Sequence, residues 1–319
     1  MHVLVTGASG FVGNRLVEVL SVRQGVQVTG AVRRQGVGGN DAVKQVNVGD
    51  LSPETDWSEA LEEIDVVVHA AARVHVMNDT ASDPLTVFRK VNVEGTLNLA
   101  RQAVAAGVRR FVFISSIKVN GEGTFQGRAY TADDVPAPAD PYGVSKMEAE
   151  AGLREIAASS GLEVVIIRPV LVYGPGVKAN FLNMMRWLDR GIPLPFGAIH
   201  NRRSLVALDN LVDLIVVATA HPSAANQTFL VSDGEDLSTT QLLRRMAAAL
   251  DKRALLLPIP STLLSVGASV LGKKALSQRL CGSLKVDIEK TRSLLSWIPP
   301  VSVDQALKLT ASHYMKRDN

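Results

Sequence analysis

The chain has little of what marks several common classes of protein. Its 319 residues include one cysteine, Cys281, so no disulfide can form within the chain and a reducing, cytoplasmic compartment is expected. The 34 Lys and Arg residues almost balance the 31 Asp and Glu residues. A formal net charge of +3 provides no basic surface for nucleic acid, so no nucleic-acid partner is expected.

Motifs for metal and for ATP chemistry are also missing. The six histidines show neither H-E-x-x-H spacing nor a cysteine-rich neighbourhood, so no metal site is predicted. The sequence has no G-x-x-x-x-G-K-[ST] motif, which argues against a P-loop ATPase. Residues 1–7 are typical of a strand that runs into a glycine turn, without the basic region of a signal peptide.

One long run, residues 254–272, carries no charge and is about as long as a membrane span. Pro258 and Pro260 interrupt it, and serine and threonine dilute it. We therefore expect a buried strand, a turn and a packed helix there, and no integral membrane span. Peripheral contact with a membrane stays open.

The first half of the chain alternates short apolar strands with amphipathic helices. The overall content of 46% hydrophobic and 20% charged residues is typical of a folded globular protein. The predicted strands are 3–6, 27–32, 66–69, 110–115 and 163–167, and the predicted helices are 12–22, 84–106 and 142–159. This alternation predicts an α/β fold with a doubly wound parallel sheet over residues 1–172. Residues 173–319, richer in Pro and Gly, are expected to form a smaller α/β lobe, from which a segment at about 204–225 returns to the first domain.

A glycine turn follows the first predicted strand and opens a helix. Gly7, Gly10 and Gly13 lie where a strand must turn, a pyrophosphate must approach the backbone, and a helix must pack on the sheet. The amide groups at the start of the helix would then receive the phosphates. A dinucleotide site is predicted, with Ser9, Phe11 and Val12 among its contacts; the alternative is a glycine-rich turn without a ligand.

The second predicted strand ends at Arg33 and Arg34. A carboxylate at this distance from the glycines would bind the ribose hydroxyl of NAD, whereas guanidinium groups suit the additional phosphate of NADP. The pair favours NADP(H) over NAD(H). Two ordinary surface arginines at the end of a strand are the alternative.

A phenol and an ammonium group lie four residues apart at Tyr142 and Lys146. On a helix this spacing places both on one face, and a neighbouring cation favours the phenolate over the phenol. Tyr142 could then act as an acid or base on an alcohol or a ketone. Ser116, at the end of the predicted strand 110–115, could donate a hydrogen bond to the same substrate oxygen.

Further short motifs lie at intervals along the chain. They are Asp50-Leu51, His69-Ala70-Ala71, Asn92 with Gly95-Thr96, Arg168-Pro169 and the run Val172-Tyr173-Gly174-Pro175. With the glycine turn and with Ser116, Tyr142 and Lys146, they resemble the extended short-chain dehydrogenase/reductase superfamily, and within it the group of nucleotide-sugar epimerases and reductases. The resemblance implies a Rossmann domain that binds NAD(P), a small lobe that binds a UDP-sugar, and a homodimer.

The resemblance also implies roles for individual residues. Tyr142 would be the catalytic acid and base, Lys146 would lower its pKa and hold the nicotinamide ribose, and Ser116 would polarise the sugar oxygen. Further cofactor contacts are expected from Asp50 and Leu51 beside the adenine and from Ala70, Ala71, Asn92 and Pro169. The expected substrate-binding residues are Lys118, Asn180, Arg203 and Arg279, with the neighbouring Arg202 as an alternative to Arg203 for the diphosphate.

The residues after Ser116 distinguish between reactions. Sugar dehydratases of this superfamily have an acidic pair where this chain has Ile117 and Lys118, so dehydration is disfavoured. Segments 114–121 and 201–211 resemble reductases of bacterial surface-polysaccharide (O-antigen) synthesis. We therefore expect a 4-reductase that converts a UDP-4-keto-6-deoxy-N-acetylhexosamine to UDP-N-acetylquinovosamine. The alternatives are a UDP-hexose or UDP-N-acetylhexosamine 4-epimerase with tightly bound NAD, and a non-catalytic NADP-sensing protein.

Overall fold

A computed structural model gives the fold of the chain, and it describes residues 1–34, 43–74, 83–125, 127–264 and 280–317. Seven parallel strands form the main sheet in the order β3-β2-β1-β4-β5-β6-β9. Their bounds are β1 His2–Thr6, β2 Gln27–Val32, β3 Lys44–Asn47, β4 Val66–His69, β5 Arg110–Ile114, β6 Glu163–Pro169 and β9 Thr228–Val231. The strand order reverses between β1 and β4, and such a switch point opens a crevice at the carboxyl ends of the strands.

A small second sheet has the order β10-β8-β7. It consists of β7 Leu171–Tyr173, β8 Arg203–Ala207 and β10 Asp236–Leu237, with β8 parallel to β7 and antiparallel to β10. β7 begins two residues after β6 ends, so the chain passes directly from the main sheet into the second one. This short connection fixes the small lobe beside the carboxyl ends of the main strands.

The described helices pack on both faces of the main sheet and in the small lobe. They are α1 Phe11–Ser21, α2 Pro84–Phe88, α3 Thr96–Ala105, α4 Pro141–Ser160, α5 Ala179–Asp189, α6 Leu208–Ala220, α7 Thr239–Ala249, α8 Glu289–Leu295 and α9 Val303–Arg317, with 3₁₀ turns at Ile117–Val119 and Pro222–Ala224. A π-helical segment, Arg89–Gly95, joins α2 to α3. At its end a Cβ on Gly95 would lie 2.9 Å from Leu51 Cγ, so glycine lets the helix approach the loop after β3.

Three hydrophobic clusters make up the core. One lies between the sheet and the helices α1 and α6, a second lies on the opposite face under α3 and α4, and the third fills the small lobe around Tyr173 and Leu243. The central strands of the main sheet, such as β1 and β4, are thus covered on both faces, which explains their continuous apolar runs.

The doubly wound parallel sheet predicted from the sequence is confirmed. Helix α6, inside the segment expected to return, packs against α1, whereas β8 of the same segment belongs to the small sheet. The strand that completes the main sheet is β9, which follows that segment. The division of the chain at residue 172 stays a prediction.

Within the described ranges, no helix is both long enough and apolar enough to cross a membrane. Much of the charge-free run 254–272 lies outside the described residues. Its first part is extended, since Leu256 and Pro260 form isolated parallel bridges with Leu194 and Ala198.

Candidate functional site

The glycine turn after β1 requires glycine for steric reasons at Gly7 and Gly13 and leaves little room for a side chain at Gly10. Gly7 has φ +68°, and a Cβ there would lie 2.9 Å from the amide nitrogen of Ala71. A Cβ on Gly13 would lie 2.1 Å from the carbonyl oxygen of Gly7, and one on Gly10 would lie 3.0 Å from the same oxygen. The turn is therefore as tight as backbone contact allows.

Helix α1 begins in this turn, and its N-terminus points toward the crevice. Gly10 is the N-cap, and among the described residues no side chain caps the helix. The loop residues Ser9 and Gly10 are exposed, so the first amides of α1 are accessible to an anion. The cradle without Cβ atoms and the accessible helix terminus fit the pyrophosphate of a dinucleotide, which Gly7, Ser9, Gly10, Phe11, Val12 and Gly13 would surround.

A chain of hydrogen bonds holds the loop after β4 against this turn. Thr6 Oγ1 lies 2.7 Å from His69 Nδ1 and accepts from the amide of Ala71 at 3.2 Å, while His69 Nε2 lies 2.9 Å from Thr96 Oγ1. Burial, together with the nearby Lys146 cation, lowers the pKa of His69 to about 3. The imidazole is therefore neutral, and Ala70 and Ala71 are held beside the glycine cradle.

Asn92 connects the same loop to helix α4. Its Oδ1 accepts from the amide of Arg73 at 2.8 Å, and its Nδ2 donates to the Arg73 carbonyl and to Ser145 Oγ, both at 3.0 Å. The side chain is buried, so these contacts position backbone around the crevice. Its direct contact with a cofactor stays a prediction.

The predicted adenosine end lies at the other side of the turn. Arg33 and Asp50 are exposed and pair at 3.8 Å, and Leu51 is half-buried under Gly95. Arg34 is also exposed. Arg33, which is predicted to contact the ribose phosphate, and Asp50, which is predicted to lie beside the adenine, are thus neighbours close to the ends of β2 and β3.

The three predicted catalytic residues converge at the carboxyl end of β5. Tyr142 lies in the first turn of α4, forms a side-chain hydrogen bond with Ser116, and packs edge-on to Phe88 at 6.0 Å. One turn further along α4, Lys146 Nζ donates to the carbonyl oxygen of Ile114 at 2.8 Å. The structure therefore brings together the phenol, the hydroxyl and the ammonium that the sequence pattern predicts.

Burial acts on both titratable members of this group. It raises the pKa of Tyr142 to about 12, with a further rise from Asp140, while the hydrogen bond with Ser116 opposes the rise. Burial lowers the pKa of Lys146 to about 7, and the carboxylate of Glu150 opposes that change. Proton transfer near neutral pH thus depends on the charges placed around the phenol.

A buried ion pair that the sequence analysis did not single out lies behind the catalytic residues. Glu150 accepts two hydrogen bonds from Arg168, from Nε at 2.9 Å and Nη2 at 2.6 Å, and one from Ser115 Oγ at 2.6 Å. Arg168 also donates to Asn120 Oδ1 at 3.0 Å. Only the spacing of Glu150, four residues after Lys146, could have suggested it. Pro169, predicted to contact the cofactor, is buried directly after this arginine.

The predicted substrate residues are more dispersed. Half-buried Arg203 donates to the carbonyl oxygen of Gly282 at 3.0 Å, and exposed Arg202 donates to that of Asp236 at 3.4 Å. Asn180 is exposed at the start of α5. Lys118 contacts two carboxylates of this chain, those of Glu122 and Asp140. Arg279 lies outside the described residues.

The fold and the site together define a class of protein. A glycine cradle at the switch point of a doubly wound sheet, beside a Ser-Tyr-Lys group, is the arrangement of a nicotinamide-dependent enzyme that acts on alcohols and ketones. The family model for the NAD dependent epimerase/dehydratase family matches residues 3–232. The chain belongs to that family, a group of extended short-chain dehydrogenases/reductases.

Individual relatives cover the whole chain. It is 50% identical over 318 residues to a UDP-glucose 4-epimerase of Vibrio cholerae, and the match covers 99% of this chain and 96% of that protein. Among solved structures, the UDP-glucuronic acid 4-epimerase of Bacillus cereus in complex with NAD superposes with a TM-score of 0.79 at 22% identity, with full coverage of both chains. The Thermotoga maritima UDP-glucose 4-epimerase with UDP-glucose gives 0.77 at 24% identity, again with full coverage of both.

These comparisons correct one expectation and leave another without support. The 4-reductase expected from segments 114–121 and 201–211 is wrong, because a relative with half of its residues identical along the whole chain is an epimerase. The preference for NADP predicted from Arg33 and Arg34 finds no support, since solved structures of similar proteins contain NAD. The reductase prediction failed for a physical reason: both reactions use the same Ser-Tyr-Lys group and the same type of substrate lobe.

Proposed function

We propose that this protein is a 4-epimerase of UDP-hexoses or UDP-N-acetylhexosamines that keeps NAD bound through the catalytic cycle. The observation that carries the proposal is the identity of half the residues along the whole chain to a UDP-glucose 4-epimerase, together with an intact group of Ser116, Tyr142 and Lys146. A binding protein that only sensed the cofactor would need none of these three side chains.

The side chains of the site can move one proton at the sugar. Tyr142 accepts the proton of the C4 hydroxyl, and Ser116 holds the same oxygen with a hydrogen bond. When bound over Gly7, Gly10 and Gly13, NAD would supply the hydride acceptor and donor that the change at C4 requires, so that no external oxidant or reductant is consumed. After the sugar has turned so that its opposite face points toward the cofactor, Tyr142 returns the proton to the C4 oxygen. Lys146 stabilises the phenolate between these two transfers.

The cofactor must stay in place because the reaction starts and ends with the same oxidation state. The glycine cradle and the N-terminus of α1 would hold its pyrophosphate, and the loop at Ala70 and Ala71 would lie along it. We assign the cofactor as NAD. Release of the nucleotide from the purified protein by heat, followed by chromatography, tests this assignment. NADP in that fraction would contradict it and would favour the role predicted for Arg33 and Arg34.

The activity is tested with UDP-glucose and UDP-N-acetylglucosamine as separate substrates, without added reductant. We expect the corresponding galacto sugars to form, as measured by nuclear magnetic resonance of the anomeric protons. A product that forms only while added NADPH is consumed would contradict the proposal. The same spectra show which of the two sugars is preferred, and light scattering tests the homodimer that we propose for the active protein.

The catalytic role of Tyr142 is tested by the substitution Tyr142→Phe. We expect turnover to fall by about 100-fold to 10,000-fold, because proton transfer at the oxygen is lost while the cofactor cradle is unchanged. Tyr314→Phe is the matched control, since that tyrosine lies in α9 and contacts Asp189. Near-normal turnover in Tyr142→Phe, with NAD still bound, would remove Tyr142 from the mechanism.

A further inference from the structure

A cluster of three charged side chains lies beside the catalytic residues. Lys118 Nζ contacts Glu122 Oε1 at 3.0 Å and also contacts Asp140 Oδ2. All three side chains are half-buried, and that of Lys118 is 25% exposed. One ammonium therefore lies between two carboxylates at the mouth of the catalytic crevice, where its charge is poorly screened by water.

Asp140 connects this cluster to the catalytic helix. Its Oδ1 accepts from the amide of Gly143 at 2.7 Å, which makes Asp140 the N-cap of α4, and its Oδ2 contacts Lys118. Pro141 occupies the first helical position and Tyr142 follows directly. The carboxylate that caps the helix is thus two residues from the phenol that moves the proton.

The backbone of Lys118 contacts the other catalytic residue. Its amide donates to Ser116 Oγ at 3.2 Å. Its carbonyl oxygen lies so close to α4 that a Cβ on Gly143 would be 2.8 Å from it. Lys118 is therefore attached to Ser116 through its main chain and to the N-terminus of α4 through its side chain.

We infer that Lys118 is a positioning residue for the reaction, which neutralises the Asp140 carboxylate and holds it on the N-terminus of α4, so that Tyr142 loses its proton more readily than it would beside an uncompensated carboxylate. The inference rests on the proposed epimerase only for the identity of the reaction. Without Lys118, the negative charge of Asp140 would lie uncompensated two residues from the phenol and would favour its protonated form.

The other groups around Tyr142 are compatible with this role. Lys146 lies one turn along the same helix, and Ser116 lies at the end of β5. The Phe88 ring covers the phenol from α2, and the Arg73 guanidinium lies 5.7 Å from the centre of that ring. Asp140 raises the pKa of Tyr142, as an anion beside a phenol must. Lys118 is the cation in direct contact with that anion.

The inference is tested by the pH dependence of turnover in Lys118→Met, Asp140→Asn and the double variant. We expect the rise of kcat with pH to shift upward by about one pH unit in Lys118→Met, with turnover about tenfold lower at neutral pH. In the double variant the midpoint should return toward that of the unaltered protein, because the uncompensated carboxylate is gone. A merely structural role would lower kcat without moving its midpoint.

Two further variants separate charge from folding. Lys118→Arg keeps the cation and should keep the midpoint. Lys290→Met removes a lysine of similar exposure, 26%, which pairs with Asp133 at 2.7 Å and has no contact with Asp140 among the described residues, and it should leave the profile unchanged. A Lys118→Met profile parallel to that of the unaltered protein, or a double variant shifted as far as the single one, would overturn the inference.

A spectroscopic measurement distinguishes this inference from the proposed function. The chain has four tyrosines, so the difference in tyrosinate absorbance between a protein with Tyr142 and its Tyr142→Phe counterpart reports ionisation of this phenol alone. We expect its midpoint to rise in Lys118→Met even if no epimerisation is found with the substrates tested. An unchanged midpoint would overturn the inference whatever the activity.

Discussion

Two deeply buried titratable residues, Lys146 and His69, differ in whether a partner compensates for the loss of water. Lys146 and His69 are both deeply buried and close to each other, and burial lowers the pKa of each. Lys146 has Glu150 within reach, which opposes the change, whereas His69 has two threonine hydroxyls and no carboxylate among its described hydrogen-bond partners. The charge of Lys146 is therefore partly compensated by a carboxylate, while the neutral imidazole of His69 links the two threonines.

His69 makes stability depend on pH. In the unfolded chain its ordinary pKa of 6.5 lets it bind a proton below that pH, but in the fold it does so only near pH 3. The unfolded state thus binds more protons, and stability falls by about 1.4 kcal/mol for each unit that the pH drops between these values. Denaturant unfolding of the unaltered protein and of His69→Gln between pH 5 and about pH 7 measures the difference.

The difference between the two proteins removes the contribution of other titrating groups. His69→Gln should be less stable at neutral pH, because the buried hydroxyls of Thr6 and Thr96 lose their hydrogen bonds to the imidazole. Its free energy of unfolding should also depend less steeply on pH. His313→Gln, at an exposed position in α9, is the control and should keep the slope. Equal slopes in the unaltered protein and in His69→Gln would show that the imidazole does not make this contribution.

At this scale the sequence predicts what local sterics determine. Gly7, Gly10 and Gly13 are recognisable from spacing, because contacts within the turn or with the adjoining loop exclude a Cβ at Gly7 and Gly13 and crowd one at Gly10. The pair of Tyr142 and Lys146 is recognisable because a helix always brings such residues to one face. The partners of Lys118 and Arg203 could not be recognised in the same way, because Asp140 and Gly282 belong to segments that are distant from them in sequence.

At the scale of elements, helix α4 joins the chemistry to the core of the sheet. Tyr142, Lys146 and Glu150 follow each other at four-residue intervals, so they lie along one face of the helix. Lys146 contacts the end of β5, and Glu150 contacts β6 through Arg168. The face of α4 is thus fixed at two successive points, which holds the phenol in register with the strand ends.

Two arginines contact Glu150 and provide a matched comparison. The Arg168 side chain is 2% exposed, whereas that of Arg154 is 48% exposed, and both approach Oε2. Arg168→Met would leave a buried carboxylate without its main partner, so we expect a loss of about 3–5 kcal/mol in the free energy of unfolding. Arg154→Met should cost less than about 1 kcal/mol. Urea unfolding measures both, and equal losses would mean that burial of the pair does not determine its contribution.

Elements with strong apolar patterns were predictable, and short ones were not. The bounds of β2 and β4 agree with the prediction, since β-branched runs mark both strands. β3 has four residues, of which Val46 is the buried one, and its pattern is too short to recognise. The predicted helix 84–106 is found as α2, the π-helical segment and α3, because a helical period does not show where the turns widen.

At the scale of the molecule, the C-terminal part of the chain completes the hydrophobic core between the main sheet and helices α1 and α6. Leu284, Val286, Leu295 and Trp297 belong to the same hydrophobic cluster as β1, α1 and α6. Segment 284–287 also pairs with two other segments. Leu284 forms an isolated bridge with Arg203 of β8, and Val286 forms one with Tyr130 in the loop after β5. Such contacts join residues far apart in sequence, so no local pattern could assign them. The prediction of a separate lobe over 173–319 therefore did not anticipate that these four residues pack in the core around the main sheet.

Because the C-terminal segment lies in this core, we expect the chain to unfold as one cooperative unit, and the tryptophans test this. Trp297 is 3% exposed and donates from Nε1 to Asp213 Oδ2 at 2.9 Å, while Trp187 on α5 is 39% exposed. Trp297→Ala should cost about 3–5 kcal/mol, since it opens a cavity under α6, and Trp187→Ala less than about 1 kcal/mol.

Calorimetry of the unaltered protein and of both variants measures this cooperativity. The calorimetric and van't Hoff enthalpies should agree for a single transition, and Trp297→Ala should lower the temperature of that whole transition. Two separate transitions, with only one of them shifted by Trp297→Ala, would mean that the segment stabilises only one of two units. The crevice would then lie between two independent units, and the contacts of the C-terminal segment with α6 and β8 would not hold the main sheet and the small lobe together.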